Sequence, residues 1–290
     1  MKRIRTVAVL PTLFTLGNLV CGFFAIVVAS RVEAPTSIEA PSGIPLGTRS
    51  PIKAVQALNP EDPVHNVMLS GWLIFLAMVF DALDGHVARL SNWTSEFGGQ
   101  LDSLCDLVTF GVAPAFLLVK MCPSFTHLHK DWAWVIAASY VVCAALRLAR
   151  FSVETGVDDD HFHFSGLPSP AAAASIAGFA IMFYTLRRND NPLVYASQID
   201  TFLQTVLPFF AALVALLMVS RIPYPHLVSQ MLSGQRSLGH VVGLVFALVA
   251  IMVIRGYAVP LVCCGFVAWG PAQYVWEEWV QRQPHKDPLF

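Results

Sequence analysis

Asp81, Asp84, Asp102 and Asp106 fall within 26 residues at the adjoining ends of two apolar runs, and that placement restricts the fold more than any other feature of the chain. Val67 to Phe80 is fourteen residues nearly free of polar side chains. At 1.5 Å per residue such a helix is about 21 Å long, short of the ~30 Å hydrocarbon layer. To cross a bilayer the helix must continue through Asp81 and Asp84, which places both acids in or at the edge of the apolar layer. Ionised groups there cost on the order of 2.5–3.5 kcal/mol each on insertion scales. A chain that keeps four of them must offset that cost by bringing them together around something.

The remainder of the chain is membrane-like. Hydrophobic residues make up 56% and charged residues only 13%, against roughly 25% charged in soluble domains. Net charge is −1, so no basic field points to nucleic acid as a partner. Apolar runs predict about eight spans, near 8–30, 67–90, 98–121, 132–151, 169–187, 202–220, 239–254 and 256–276. The fold class is all-α, a polytopic transmembrane helical bundle in a single membrane domain over 1–290. The first run follows Lys2, Arg3 and Arg5 and lacks a small-residue cleavage site, so it reads as a retained helix rather than a removed signal. The same basic cluster holds the N-terminus in the cytoplasm. Eight crossings then leave 10 Lys/Arg inside and 8 outside, with Arg187 and Arg188 on the outer side against the rule. Residues 31–66 carry six prolines and read as an extended extracytoplasmic insert. The six cysteines form no CxxC pair and lie mostly in apolar runs, as packing residues rather than a disulfide framework.

Spacing gives the acids a geometry. Asp81 and Asp84 are three apart and share one helix face. Asp102 and Asp106 are four apart and share a face of the next helix. The short stretch from Ser91 to Phe97 reverses the chain, so both pairs are expected at one depth and facing each other. Arg89 is the only cation inside the pattern. Mutual repulsion among four carboxylates calls for divalent metal, and hard oxygen ligands favour Mg²⁺ or Mn²⁺ over zinc. Two metals sharing carboxylates would suit phosphoryl chemistry. Gly85 and Gly98 would let a ligand approach the backbone, and Ala88 would keep the same face shallow.

The pattern D-x2-D-G-x2-A-R-x8-G-x3-D-x3-D resembles the signature of the CDP-alcohol phosphatidyltransferases, and each position matches. The resemblance implies a six-helix transmembrane core, here residues 1–235 with the insert 31–66, to which a C-terminal helix pair at 236–276 is added. It implies a multi-pass enzyme of the cell (inner) membrane, usually a homodimer, with its active site facing the cytoplasm. In the implied reaction an alcohol displaces CMP from a CDP-linked lipid. Asp81, Asp84, Asp102 and Asp106 would bind the metals, and Asp106 would also be the general base. Gly85, Ala88, Arg89 and Gly98 would bind the CDP moiety.

Leu10 to Phe23, Ala145 to Phe151, Gly166 to Ala171 and Met218 to Pro225 resemble the bacterial and archaeal CDP-diacylglycerol–serine O-phosphatidyltransferases. Ser152 stands where that branch usually has asparagine. The resemblance implies CDP-diacylglycerol and L-serine as substrates and membrane lipid as surroundings. Arg147 and Arg150, three apart at one helix end, would suit a carboxylate or a phosphate, or serve as positive-inside anchors. Ser169 would cap the next helix or contact the acceptor. Other acceptors with the same chemistry are glycerol 3-phosphate, inositol phosphate and choline. An ion-coupled transporter is the non-enzymatic alternative, with no inverted repeat in its favour. Asp158, Asp159, Asp160, His161 and His163 read as a solvated loop, and His127 and His129 as non-catalytic.

Overall fold

The computed structural model describes residues 9–32, 63–91, 96–154, 166–187, 195–222, 224 and 255–281. Among these residues the chain is helical and has no strand. In order, α1 is Val9–Ser30, α2 Pro63–Ser91 and α3 Glu96–Asp106. A π-helical segment, Leu107–Val112, joins α3 to α4, Ala113–Met121. Then come α5 Pro123–Leu128, α6 Lys130–Glu154, α7 Ser169–Arg187 and α8 Ala196–Val219. A 3₁₀ turn at Arg255–Tyr257 leads into α9, Ala258–Gln281.

Seven stretches are long and apolar enough to cross a membrane: 12–30, 63–85, 97–121, 131–153, 169–187, 196–219 and 258–276. They match seven of the eight expected spans. The expected span at 239–254, the aspartate–histidine run at 158–163 and most of the insert 31–66 lie outside the described residues. The insert is shorter at its end than the prolines suggest, because α2 begins at Pro63. Proline fits the first helical position, where its missing N–H has no partner to lose. The short α5 was not foreseen. Pro123 opens it, and six residues are too few for hydrophobic periodicity to register.

α7 organises the bundle. Its sequence begins Ser-Pro-Ala-Ala-Ala-Ala-Ser and continues through Gly178. Lipid is as apolar as leucine, so transmembrane helices associate by close packing, which small residues permit. α7 packs on α2, α8 and α9. A methyl on Gly71 of α2 would stand 2.9 Å from the Ala177 carbonyl oxygen, so only glycine allows that crossing. The spans over α7 and over α3–α4 are the most buried, and α9 the most exposed. α1 lies chiefly against α2. Outward residues such as Leu13, Val20, Phe23, Trp72 and Phe209 are exposed, as a lipid-facing surface requires. Just before α7, Gly166 takes φ 93°, the left-handed region, and its N–H donates to Ile222 O at 2.9 Å. A methyl there would lie 2.5 Å from Met218 O. This junction pins the start of α7 to the end of α8.

At the end of the bundle away from the acids, polar groups close on themselves. Arg187 Nε donates to Asp200 Oδ1 at 2.8 Å, and Arg187 Nη2 to Met121 O at 3.0 Å. Gln204 Nε2 donates to Asp200 Oδ2 at 2.7 Å, and Ser124 N to Gln204 Oε1 at 2.9 Å. The guanidinium also stacks 4.4 Å from the Phe183 ring centre. Four elements are thereby tied at one membrane face. Arg187→Met would strand Asp200. For this partly exposed pair a loss of about 2 kcal/mol is expected, below the 3–5 kcal/mol of a fully buried one. Thermal unfolding in detergent should show a lower midpoint for Arg187→Met and partial recovery when Asp200→Asn is added.

Candidate active site

Three of the four acids meet, and Asp84 stands outside their group. One carboxylate oxygen from each of Asp81, Asp102 and Asp106 lies within 4.8 Å of the others. Asp81 comes from the last third of α2, and Asp102 and Asp106 from α3. Asp84 is one turn beyond Asp81, 7% exposed, and accepts a hydrogen bond from the Thr15 hydroxyl of α1. Asp106 is 8% exposed and accepts from Asn18 Nδ2 at 2.9 Å. So α2 and α3 supply the acids, while α1 supplies neutral donors that hold two of them.

The position of α1 depends on one close approach. Thr109, in the π-helical segment just after Asp106, donates its hydroxyl to the Asn18 carbonyl at 3.3 Å. Gly22, one turn further along α1, faces the same residue. A methyl on Gly22 would stand 2.9 Å from the Thr109 backbone Cα. Removing that side chain lets α1 settle against the widened turn, and Asn18 then reaches Asp106. π-helical turns recur at functional sites because the extra residue per turn redirects side chains.

The remaining expected residues are distributed around this cluster. Gly85 is exposed, and a methyl on it would meet nothing within 4 Å among the described residues. Gly98 is half-buried near the start of α3. Ala88 and Arg89 lie on the last turn of α2, and their side chains lie outside the described residues. Arg147 of α6 is half-buried. Its Nη1 donates at 2.9 Å to the hydroxyl of Ser169, itself 1% exposed at the start of α7. The guanidinium is within electrostatic range of Asp106. Arg150, one turn on, is also half-buried. Ser152 Oγ lies 3.4 Å from Ser103 Oγ, next to Asp102 in sequence, so the departure from asparagine is at the rim of the site.

Thr15 and Asn18 lie in the segment Leu10 to Phe23, whose resemblance does not by itself mark them as site residues. Their signal was present: two polar residues three apart in an apolar span, hence on one face.

The donor set fits a hard divalent cation. Three carboxylates converge, and Asp102 Oδ1 is buried with no hydrogen-bond partner among the described residues. A buried carboxylate oxygen without a partner is costly, and oxygen-only ligands suit Mg²⁺ or Mn²⁺. Such a constellation can bind a diphosphate through metal and accept a proton at a neighbouring carboxylate. All six cysteines are free, consistent with a packing role.

The CDP-alcohol phosphatidyltransferase family model matches residues 8–267. A CDP-diacylglycerol–serine O-phosphatidyltransferase of Methanocaldococcus jannaschii is 37% identical over 153 residues, which are 53% of this chain and 62% of that protein. One of Helicobacter pylori is 33% identical over 168 residues, 56% of this chain and 62% of that protein. An archaetidylserine synthase of Methanothermobacter thermautotrophicus is 35% identical over 156 residues, 53% of this chain and 56% of that protein. The matched region thus spans about three fifths of the length of these relatives.

If Gly22 sets the depth of α1, Gly22→Ala should lower stability by about 1–3 kcal/mol, the usual cost of overpacking. Gly265→Ala, at a position where a methyl meets nothing within 4 Å among the described residues, should stay within about 0.5 kcal/mol of the parent. Thermal unfolding of the two variants side by side checks this.

Proposed function

The chain belongs to the CDP-alcohol phosphatidyltransferase family, and from that premise we propose that it transfers the phosphatidyl group of CDP-diacylglycerol to L-serine, giving phosphatidylserine and CMP. The observation that carries this reading is the convergence of Asp81, Asp102 and Asp106 within 4.8 Å. The names of the relatives support serine as the acceptor. The local chemistry supports it too, since a zwitterion needs one cation for its carboxylate and Arg147 is at hand, whereas a phosphorylated acceptor would need several.

In this reading the serine hydroxyl oxygen attacks the phosphorus attached to diacylglycerol. The bond from that phosphorus to the bridging oxygen breaks, and CMP leaves with the electron pair. Asp106 takes the hydroxyl proton. Asn18 Nδ2, donating to Asp106 Oδ1, fixes the orientation of that carboxylate so that its other oxygen is available as base. Asp81, Asp84, Asp102 and Asp106 would hold Mg²⁺ or Mn²⁺, two ions in all. Bound there, the metal supplies charge neutralisation for the diphosphate and for the departing oxygen. Thr15 restrains Asp84 in the same way that Asn18 restrains Asp106. Gly85, Ala88, Arg89 and Gly98 form the CDP-binding face. Arg147 and Arg150, with Ser169 holding the first, would bind the acceptor carboxylate or a phosphate. The lipid chains stay in the bilayer throughout.

In this reading the site faces the cytoplasmic side of the cell membrane. Lys2, Arg3 and Arg5 precede α1 at the site end of the bundle. On the opposite face, Arg187 is neutralised by Asp200, and Lys120 Nζ is tied to Val32 O at 2.9 Å. Lys120 keeps its charge there, and Arg31 and Lys130 lie on the same side, so the orientation is carried by the N-terminal basic cluster.

Purified protein given CDP-diacylglycerol, Mn²⁺ and a panel of alcohols should release CMP with L-serine in preference to glycerol 3-phosphate, inositol phosphate or choline. Asp106→Asn should lose roughly 10³-fold in turnover while keeping its elution volume and unfolding midpoint. Undiminished turnover in that variant would remove Asp106 as the base. Asp81→Asn should weaken Mn²⁺ binding, read by electron paramagnetic resonance in the absence of any substrate. Unchanged Mn²⁺ affinity would detach the acidic cluster from metal.

A further inference from the structure

Asn18 is completely buried and only half used. Its Nδ2 donates to Asp106, but its Oδ1 is buried without a hydrogen-bond partner among the described residues. A carbonyl oxygen left so in a membrane interior forfeits a hydrogen bond that water would have given it. Only five such side-chain atoms occur among the described residues, and three belong to residues around Asp106: Asn18 Oδ1, Asp102 Oδ1 and Arg147 Nε. The other two are both on Asn66, at the far end of α2. Unmatched groups are therefore concentrated where a ligand would be held, and each has a definite sign.

Arg147 Nε is an unmatched donor, suited to a carboxylate. Asp102 Oδ1 is an unmatched anion, suited to a cation. Asn18 Oδ1 is an unmatched neutral acceptor, suited to an N–H group. Its amide is fixed, because Nδ2 must face Asp106 to donate and the backbone of the same residue is held by Thr109. A neutral acceptor beside the catalytic base has a specific use. A full carboxylate there would add a fifth negative charge to the cluster, whereas an amide oxygen binds an ammonium group without raising that repulsion.

We infer that Asn18 is a specificity-determining residue whose Oδ1 accepts a hydrogen bond from the α-ammonium group of an amino-alcohol acceptor, while its Nδ2 holds Asp106 at the hydroxyl of the same molecule. The inference rests on the serine reading above and extends it to the amine. One side chain then measures the separation between the amine and the reacting hydroxyl. An acceptor lacking the amine leaves the buried Oδ1 unpaired, and sites built on hydrogen bonds reject such analogues strongly.

The test uses the full-length protein in lipid nanodiscs with CDP-diacylglycerol and Mn²⁺. CMP release is followed with L-serine and with 3-hydroxypropanoate, which is serine without its amine. Asn18→Ala will lower kcat with both acceptors, because Asp106 loses its donor. The deciding quantity is the ratio of kcat/KM for serine to kcat/KM for 3-hydroxypropanoate. That ratio should fall roughly 10- to 100-fold, the size of one hydrogen bond to a charged group, with the KM for CDP-diacylglycerol within about 2-fold of the parent. Asn18→Ser, which fills more of the space but is too short to span both groups, should show the same fall and serves if the alanine variant does not remain monodisperse. An unchanged ratio in a folded variant of an enzyme active on serine overturns the role of Asn18 alone. A parent protein that releases CMP with another alcohol but not with serine overturns the serine reading and this inference together.

Discussion

Carboxylates at the edge of a hydrocarbon layer set the terms for the rest of this structure. Each one would be expelled or neutralised if left alone. The fold keeps them by two separate means. Two neutral donors from α1 hold Asp84 and Asp106, which satisfies part of their hydrogen-bonding capacity without cancelling their charge. The convergence of Asp81, Asp102 and Asp106 then concentrates the remaining negative charge into a volume that a divalent cation can occupy. A cationic side chain placed against every acid would have been the simpler way to make them tolerable, but it would have used up the ligand atoms. Donors such as threonine and asparagine leave them available.

That arrangement needs three helices brought closer than large side chains allow, which explains where the small residues fall. Gly22 lets α1 approach Thr109, and the approach carries Asn18 to Asp106. Gly71 lets α2 cross Ala177, which fixes the helix bearing Asp81 and Asp84 against the most buried span. Gly166, at φ 93°, turns the chain so that Ser169 begins α7 beside Arg147. Packing and chemistry are coupled here: each close approach positions a specific polar group, and lipid supplies no hydrophobic force that could substitute for the fit.

The helical class, the seven described spans and the meeting of the acid pairs could be read from sequence, because each depends on local periodicity and length. Asp81 and Asp84 share a face by spacing alone, and the short reversal after Ser91 leaves little freedom for the next helix. Thr15 and Asn18 were a different matter. They stand 69 and 88 positions from the acids they hold, and no helical period spans that distance. The π-helical segment was also invisible, since Leu107 to Val112 carries no residue that forbids an ordinary α-turn. It becomes intelligible only once Thr109 is seen against Gly22. Long-range partner choice is a property of packing, and packing is what a single sequence encodes least openly.

Charge placement across the bundle bears on the expected orientation, which Arg187 and Arg188 oppose; Arg188 lies outside the described residues. Arg187, counted as a bare positive charge, belongs on the cytoplasmic side by composition rules. In the structure it is bound to Asp200, to the Met121 carbonyl and to the face of Phe183. The positive-inside bias counts Lys and Arg in short loops near the span ends, and acidic neighbours change that count little. Arg187 therefore still counts on the outer side, and its bond to Asp200 acts on the folded bundle by tying α7 to α8. The same pairing ties the far face together, where Asn66 keeps two buried polar atoms without a partner among the described residues, while three such atoms lie around Asp106. The tied Arg187–Asp200 pair and the converging acids thus lie at opposite ends of the same bundle.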